Sequence, residues 1–409
     1  MTARFADYVQ RDGRAHGMNL RWTFPPYPVG WVPRETLRGY IAGKDPVSGV
    51  PLMDEVIFAL TQPLTEEEKH PKIVKSPRRA RLLKPDSEDD LHRLFLESGW
   101  TDGLPIVLPT EERVAEMLTG TDHDPQEVVG MTSVSTHLER LEYTVEKVAV
   151  NAVMAGCRPE HLPVLLAIAS SGFPSMPSST TSFASMVVVN GPIRDEIGMN
   201  YGLGALSPVN YANSVIGRAW TLMGINFGDV RPGVTFTASL GHNINYNNMC
   251  CAENEELSVW EPFHVRKGFK REESTVSLFR GWNVHMRGLG PARHMLEAAK
   301  GMGFRSGSFT FLIDPLAAKS LKNEGYDDPR KLSEWITKEM NSGFMRPDMV
   351  NFIVLGGETN PMFATTDFFY NRTVAIDPWI PKAGIKKDAR PLRMPVAVAC
   401  EDGSCGISD

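Results

Sequence analysis

An α/β fold, with a mixed sheet and flanking helices, is the class this sequence predicts, and three observations carry the prediction. Residues 186–189, 308–313 and 351–355 are short apolar runs with the length and residue types of buried strands. Around them lie stretches of helical period that begin at recognisable start signals. The two kinds alternate along the chain, as they do where helices cover a sheet. Length and composition agree: 409 residues, 42% hydrophobic and 22% charged, suit one large globular unit or two to three domains.

Residues 1–85 read as an extended N-terminal arm and linker. The segment Trp22-Thr23-Phe24-Pro25-Pro26-Tyr27-Pro28-Val29-Gly30-Trp31 is too rich in proline for a helix, and its rings need cover. The arm is therefore expected to pack on its own body or on a second subunit, which makes a homo-oligomer the expected assembly. The basic run from Lys72 to Arg81 reads as a solvated linker. An α/β core carrying the polar site is expected over residues 86–300, an α/β C-terminal segment over 301–399, and a flexible tail over 400–409.

Within the core, Ser87 followed by Glu88, Asp89 and Asp90 starts a helix whose stripe is Leu91, Leu94 and Phe95. Thr110 caps a second helix that stops at Gly120, and a third runs from Thr144 to Gly156. A fourth begins at Pro159, so Gly156-Cys157 joins a tight helical hairpin. The run at 186–189 is a strand delivering its end to Asn190-Gly191-Pro192, and a helix is expected over 209–223. Residues 235–239 read as a further strand, and helices are expected at 292–300, 315–324 and 329–340. No internal repeat at a fixed period is visible.

Charge and motif content exclude several functions. Forty-three Lys and Arg against 49 Asp and Glu leave a net charge of -6, so no nucleic-acid partner is expected. No apolar run of about 18 residues exists, so no membrane span is expected either. The polar N-terminus lacks the pattern of a signal peptide, which points to the cytoplasm. The glycine spacing is not that of a dinucleotide fold, and no nucleotide cofactor is expected.

Two regions carry the candidate chemistry. Tyr201-Gly202-Leu203-Gly204-Ala205-Leu206-Ser207-Pro208 is a glycine-rich loop ahead of a helix, a place where backbone N–H groups and the helix dipole receive an anionic group. Gly202, Gly204, Ser207, Asn213 and Arg218 form the expected substrate-binding set, although Arg218 reaches a neighbouring Asp equally well. Asp102 in Thr-Asp-Gly reads as a turn residue. The second region runs from Gly241 to His264 and holds two His, two Cys and four Glu. Here Cys250 is the candidate nucleophile and His242 or His264 the acid or base, with Glu253, Asn254 and Glu261 completing the catalytic set. His242, Cys250 and Glu256 are the candidate ligands of a divalent metal such as zinc. The structural alternative is an asparagine-rich loop running into the acid-rich first turn of a helix.

Five cysteines suit free thiols better than a disulfide framework. Cys250 and Cys251, being adjacent, are expected to face opposite ways, and Cys251, Cys400 and Cys405 are candidates for thiol redox or soft-metal handling. Cys157, at a helix start beside Arg158, is placed to favour thiolate.

Taken together, Thr101-Asp102-Gly103-Leu104-Pro105, Val189-Asn190-Gly191-Pro192-Ile193, Ala212-Asn213-Ser214-Val215-Ile216-Gly217-Arg218-Ala219, Cys250-Cys251-Ala252-Glu253-Asn254-Glu255-Glu256 and Trp260-Glu261-Pro262-Phe263-His264 resemble a bacterial family of hypothetical proteins. The resemblance spans about residues 99–265 and more weakly reaches about 355. It implies a shared architecture and a site near these blocks, and no particular reaction. The leading expectation is an enzyme, a hydrolase or lyase acting on a small polar or anionic molecule. A thiol-redox or soft-metal protein and a non-catalytic subunit of a larger assembly are the alternatives.

Overall fold

The computed structural model describes residues 2–15, 17–71, 81–84, 86–131, 142–173, 175, 176, 179–228, 230, 232, 233, 235–288, 292–302, 308–341, 343 and 345–385, with backbone alone at 15, 282–287 and 367–370. Cys400, Cys405 and the basic run other than Arg81 lie outside the described residues.

The first 71 residues are not an extended arm. They hold helices α1 (Ala6–Ala15), α2 (Arg34–Ala42), α3 (Leu52–Thr61) and the short α4 (Glu66–Lys69). Two prolines beyond the aromatic segment, Pro33 and Pro51, occupy the N-cap positions of α2 and α3. The aromatic segment at 22–31 is itself non-helical. It is pinned by Arg21, whose guanidinium donates to Gln62 O at 2.8 Å, Pro63 O at 2.7 Å and Glu68 Oε2 at 2.7 Å. Asp45, almost fully buried, accepts from the N–H groups of Phe24 and Val47.

The body follows the predicted alternation. Helix α5 (Glu88–Glu97) starts at Ser87, whose side chain accepts from Asp90 N, and Thr110 caps α6 (Glu111–Leu118) in the same way. Strands β1 (Val128–Met131) and β2 (Glu142–Thr144) make a small antiparallel pair. Helix α7 (Val145–Ala155) ends at Gly156 in the left-handed conformation, and α8 (Leu162–Ser170) returns along it after a 3-10 turn. Then come β3 (Ala184–Asn190), the single-turn α9 (Ile193–Glu196), α10 (Tyr211–Gly228), β4 (Cys251–Ala252), the single-turn α11 (Phe263–Arg266) and the long β5 (Thr275–Gly288). The chain closes with α12 (Ala292–Gly301), β6 (Ser308–Ile313), α13 (Pro315–Asn323), α14 (Pro329–Met340), β7 (Val350–Val354) and the long β8 (Met362–Ala375).

Six strands form one mixed sheet in the order β4-β3-β5-β8-β6-β7. The order reads alike from either edge. β3 pairs in parallel with β4 and antiparallel with β5; β6 pairs in parallel with β7 and antiparallel with β8; β5 and β8 join the halves. The body thus contains two copies of one strand-helix-strand-strand unit, a duplication that no sequence period announces.

The sheet is strongly curled. In a flat sheet its outer strands would stand about 24 Å apart. Instead one apolar cluster gathers Met186 and Val188 of β3, Cys251 of β4, Phe279 of β5, Leu312 of β6, Ile353 of β7 and Ala364 of β8. Asn254, just beyond β4, donates its backbone N–H to Val354 O of β7 at 2.7 Å. The outer strands therefore meet at their C-terminal ends, as in a partly closed barrel. Helices α7, α8 and α10 cover the outer face of the first half, and α12 to α14 that of the second.

The expected strand at 235–239 and the helix of the structural alternative do not form. Residues 235–239 make only an isolated bridge through Phe236, because the edges of the sheet already meet and leave this stretch no strand to join. No helix starts at Glu253, whose neighbours instead enter a buried charge network.

Candidate functional site

The stretch rich in asparagine forms a clamped turn. His242 caps a 3-10 turn at Asn243–Tyr246, its Nδ1 accepting from Ile244 N at 3.2 Å. Asn248 and Met249 then take positive φ values of 49° and 41° in succession. Asparagine tolerates that region, but methionine is strained there by about 1 kcal/mol or more. The turn holds this shape because it is pressed on α10. Asn248 Nδ2 donates to Gly217 O and to Thr221 Oγ1, both at 2.8 Å, and Thr221 Oγ1 donates to Asn245 O. Approach is closest at Gly217, where a Cβ would stand 1.8 Å from Asn247 O and 2.8 Å from Cys250 Cβ.

The strained turn delivers Cys250 and Cys251 to opposite faces, as adjacency predicts. Cys251 packs inside the curled sheet, its thiol 3.6 Å from Val187 O. Cys250 packs with the helices outside and lines a cavity of about 190 Å³. Leu206, Ile244 and Met249 are the cavity's apolar walls; Ser207, Asn213, Asn247 and Cys250 are its polar ones. The structure thus brings together the glycine-rich loop and Cys250, which are far apart in sequence.

The loop is itself built by asparagines. Asn213 Oδ1 accepts from Asn200 N at 3.0 Å, and its Nδ2 donates to Asn200 O at 2.8 Å. Asn210 Nδ2 reaches Gly204 O at 2.7 Å and Ser207 O at 3.1 Å. Gly202 N donates to Asn200 Oδ1, and Gly204 has a φ of +72° that suits glycine. Helix α10 begins at Tyr211, so Ser207 is left on the loop at the cavity and does not cap the helix.

Burial shapes the thiols. It pushes Cys250 well above the usual thiol value, Cys251 up to about 12, and Cys157 likewise upward against the pull of Arg218. The thiolate expected at Cys157 from its helix start and neighbouring charge is thus disfavoured, since burial outweighs both, and burial acts the same way on Cys250. Cys157 donates its thiol to Val215 O at 3.4 Å.

The residues after β4 make a buried charge network. Asn190 Nδ2, at the end of β3, bridges Glu253 Oε2 at 2.6 Å and Glu255 Oε1 at 2.9 Å. Glu253 also accepts from Phe263 N at 2.6 Å; burial pushes its carboxyl up, opposed by the Arg266 guanidinium. Arg194, almost fully buried, donates Nη2 to Glu256 Oε1 at 2.9 Å and lies 3.3 Å from Glu255. His264 is fully buried, with Nε2 3.4 Å from Arg271 O and Nδ1 3.7 Å from Glu255 Oε1, too far for a hydrogen bond. Asn254 stitches the two halves: Nδ2 donates to Gly356 O at 3.2 Å, beside its backbone bond to Val354.

The remaining predicted residues lie elsewhere. Arg218 is bound to Asp102 by two hydrogen bonds of 2.8 and 3.0 Å and donates to Pro105 O, so it anchors the Thr101–Pro105 turn and does not line the cavity. Glu261 is exposed and pairs with Arg271 at 2.7 Å. Neither His242 nor His264 lines the cavity. Among the described residues no group of three or more His, Cys, Asp or Glu is placed to hold a metal ion, and His242, Cys250 and Glu256 each have the separate surroundings described above. No described helix is long and apolar enough to cross a membrane.

Sequence reasoning overlooks Asn247 and Met249 as cavity walls and Asn190 and Arg194 as the partners of the glutamates. Arg194 leaves a trace, being a lone basic residue in the apolar turn Gly191-Pro192-Ile193 ahead of two acids. Comparison with models of protein families, with curated proteins and with solved structures finds no match for the chain.

Proposed function

We propose that the protein is an enzyme that cleaves or rearranges a small polar molecule bound in the cavity between the 202–207 loop and the 247–250 turn, with Cys250 as nucleophile. The observation that supports this reading is that a strained non-glycine turn holds Cys250 against a cavity shared with Ser207 and Asn247. Strain of this kind persists where a side chain must be aimed. The cavity, about 190 Å³, is of a size that suits a small molecule.

The roles divide by position. Ser207 and Asn247 offer hydrogen-bond donors to an oxygen of the substrate. Asn213 shapes the loop that carries Ser207. Glu253, Glu255, Glu256 and His264 act as positioning residues, since with Asn190 and Arg194 they lie at the far end of the short strand β4 that directly follows Cys250. Cys250 enters as a neutral thiol, so its proton leaves as the sulfur attacks.

Screening small polar esters, amides and carbonyl compounds by NMR tests this reading. Turnover by the wild type is expected to fall at least about a hundredfold in Cys250→Ala and about tenfold in Ser207→Ala. Turnover that survives Cys250→Ala overturns the assignment.

We propose further that the protein is a homo-oligomer through its N-terminal helices. Supporting this, α2 and α3 leave Ile41, Met53, Ile57, Phe58 and Leu60 exposed, and Trp31 beside them is fully exposed.

A further inference from the structure

We infer that the molecule this cavity accepts is uncharged and carries a carbonyl group, which Cys250 attacks. This rests on the reading of the cavity as a substrate site and narrows its substrate class, for which the sequence leaves both polar and anionic molecules open.

Charge is the first argument. The cavity lining contains no Lys, Arg, His, Asp or Glu. The guanidinium expected to receive an anionic group, Arg218, is spent on Asp102 and Pro105 O. Arg194 is spent on Glu255 and Glu256. A charged ligand would give up its hydration to walls of Leu206, Ile244 and Met249 with no counter-ion, at a cost of several kcal/mol.

The polar walls supply the second argument, because each of their free groups can donate: the Asn247 amide N–H and the Ser207 hydroxyl. Asn247 uses Oδ1 to accept from Met249 N at 3.3 Å, which leaves Nδ2 without a partner among the described residues. The Ser207 hydroxyl likewise has none among them, while Asn213 is occupied by Asn200. Two open donors beside a thiol call for an acceptor oxygen bonded to an electrophilic carbon. A carbonyl supplies both.

The step balances without a further reactant. The Cys250 sulfur bonds to the carbonyl carbon, the π pair moves to the oxygen, and the thiol proton passes to that oxygen. An aldehyde or ketone stops at the hemithioacetal. An ester or amide goes on to expel its alcohol or amine and leaves a thioester for water to cleave.

Methanethiosulfonate reagents applied to the full-length wild-type protein test the inference, with modification at each cysteine followed by peptide mass spectrometry. The neutral butyl, anionic sulfonatoethyl and cationic trimethylammonioethyl reagents are of similar length; rates are normalised to those on the unfolded chain. Cys250 is expected to react with the butyl reagent at least about tenfold faster than with either charged one, and propionamide to slow that reaction more than propionate does. Equal rates for charged and neutral reagents, or stronger protection by propionate, overturn the uncharged class while leaving the cavity reading intact. If no reagent modifies Cys250 faster than the sheet-buried Cys251, the cavity does not admit small molecules and both readings fall.

Discussion

At the scale of single residues the site depends on what is missing as much as on what is present. Gly217 sits in mid-helix, where glycine costs about 1 kcal/mol relative to alanine. It is tolerated because Asn247 O and Cys250 Cβ occupy the space a side chain would need. Gly217→Ala should therefore destabilise the protein by at least about 1–3 kcal/mol in urea unfolding, and in the folded fraction should change the reactivity of Cys250. Gly202→Ala, with only Asn200 Oδ1 near at 3.7 Å, is the matched control and should be close to neutral. Equal effects of the two substitutions would remove the case for a forced approach. The sequence makes Cys250, Ser207 and Asn213 legible as candidates, and all three line the cavity, since their chemistry is visible in their names. It does not disclose Met249 or Gly217, whose contribution is backbone shape and absent volume. Nor does it reveal that Arg218 is committed to Asp102, because a guanidinium looks the same whether it awaits a ligand or already holds a carboxylate.

Elements were legible where local chemistry sets their ends. Ser87, Thr110 and Thr144 cap α5, α6 and α7, and Gly156 ends the last of these as its αL conformation requires. The hairpin that follows carries a pH dependence. His161, buried between α7 and α8, accepts from Arg158 N through Nδ1 at 3.1 Å; burial first and the Arg158 charge second pull its imidazole down to about 3. The unfolded chain, with a value near 6.5, takes up the proton more readily than the folded one. The contribution of His161 is thus complete above pH 6.5 and is lost as pH falls from there towards 3. Between pH 7 and 5 this amounts to about 2 kcal/mol. His161→Asn keeps an acceptor without the titration, so its urea-unfolding free energy should fall less steeply over that range; parallel slopes would assign the acid sensitivity to other groups. β5 and β8 escape a pattern reading because each runs through the sheet centre with polar residues interrupting its alternation, and β5 carries Gly281 as well. The register of their pairing shifts at Arg280/Gly281 and Gly281/Val284.

For the molecule as a whole, the alternation of strands and helices makes the α/β class legible, whereas the duplication and the curl are not. The two units join their parallel strands through different helices, α9 and α10 in one and α13 and α14 in the other, so no fixed period survives in the sequence. Curling is a tertiary outcome: it brings Asn254 to Val354 across about a hundred residues of chain, beside the charge network that follows β4. The N-terminal helices pose the opposite problem, a surface left uncovered. Helix α3 buries only Leu52, while Ile57, Phe58 and Leu60 are 54%, 57% and 81% exposed. Side chains of that size stabilise by roughly 1.5–3 kcal/mol each when fully buried, which is a strong incentive for a second copy to cover them. Light scattering on the eluted protein should accordingly give a multiple of the mass of one chain. Ile57→Glu with Leu60→Glu should return it to a single chain, with little change in the unfolding of the body because neither residue packs in its core. A wild type that elutes as one chain at micromolar concentration would show that α3 is left bare or covered by something else. Loss of Cys250 reactivity in the monomeric double variant would go further and tie assembly to the cavity.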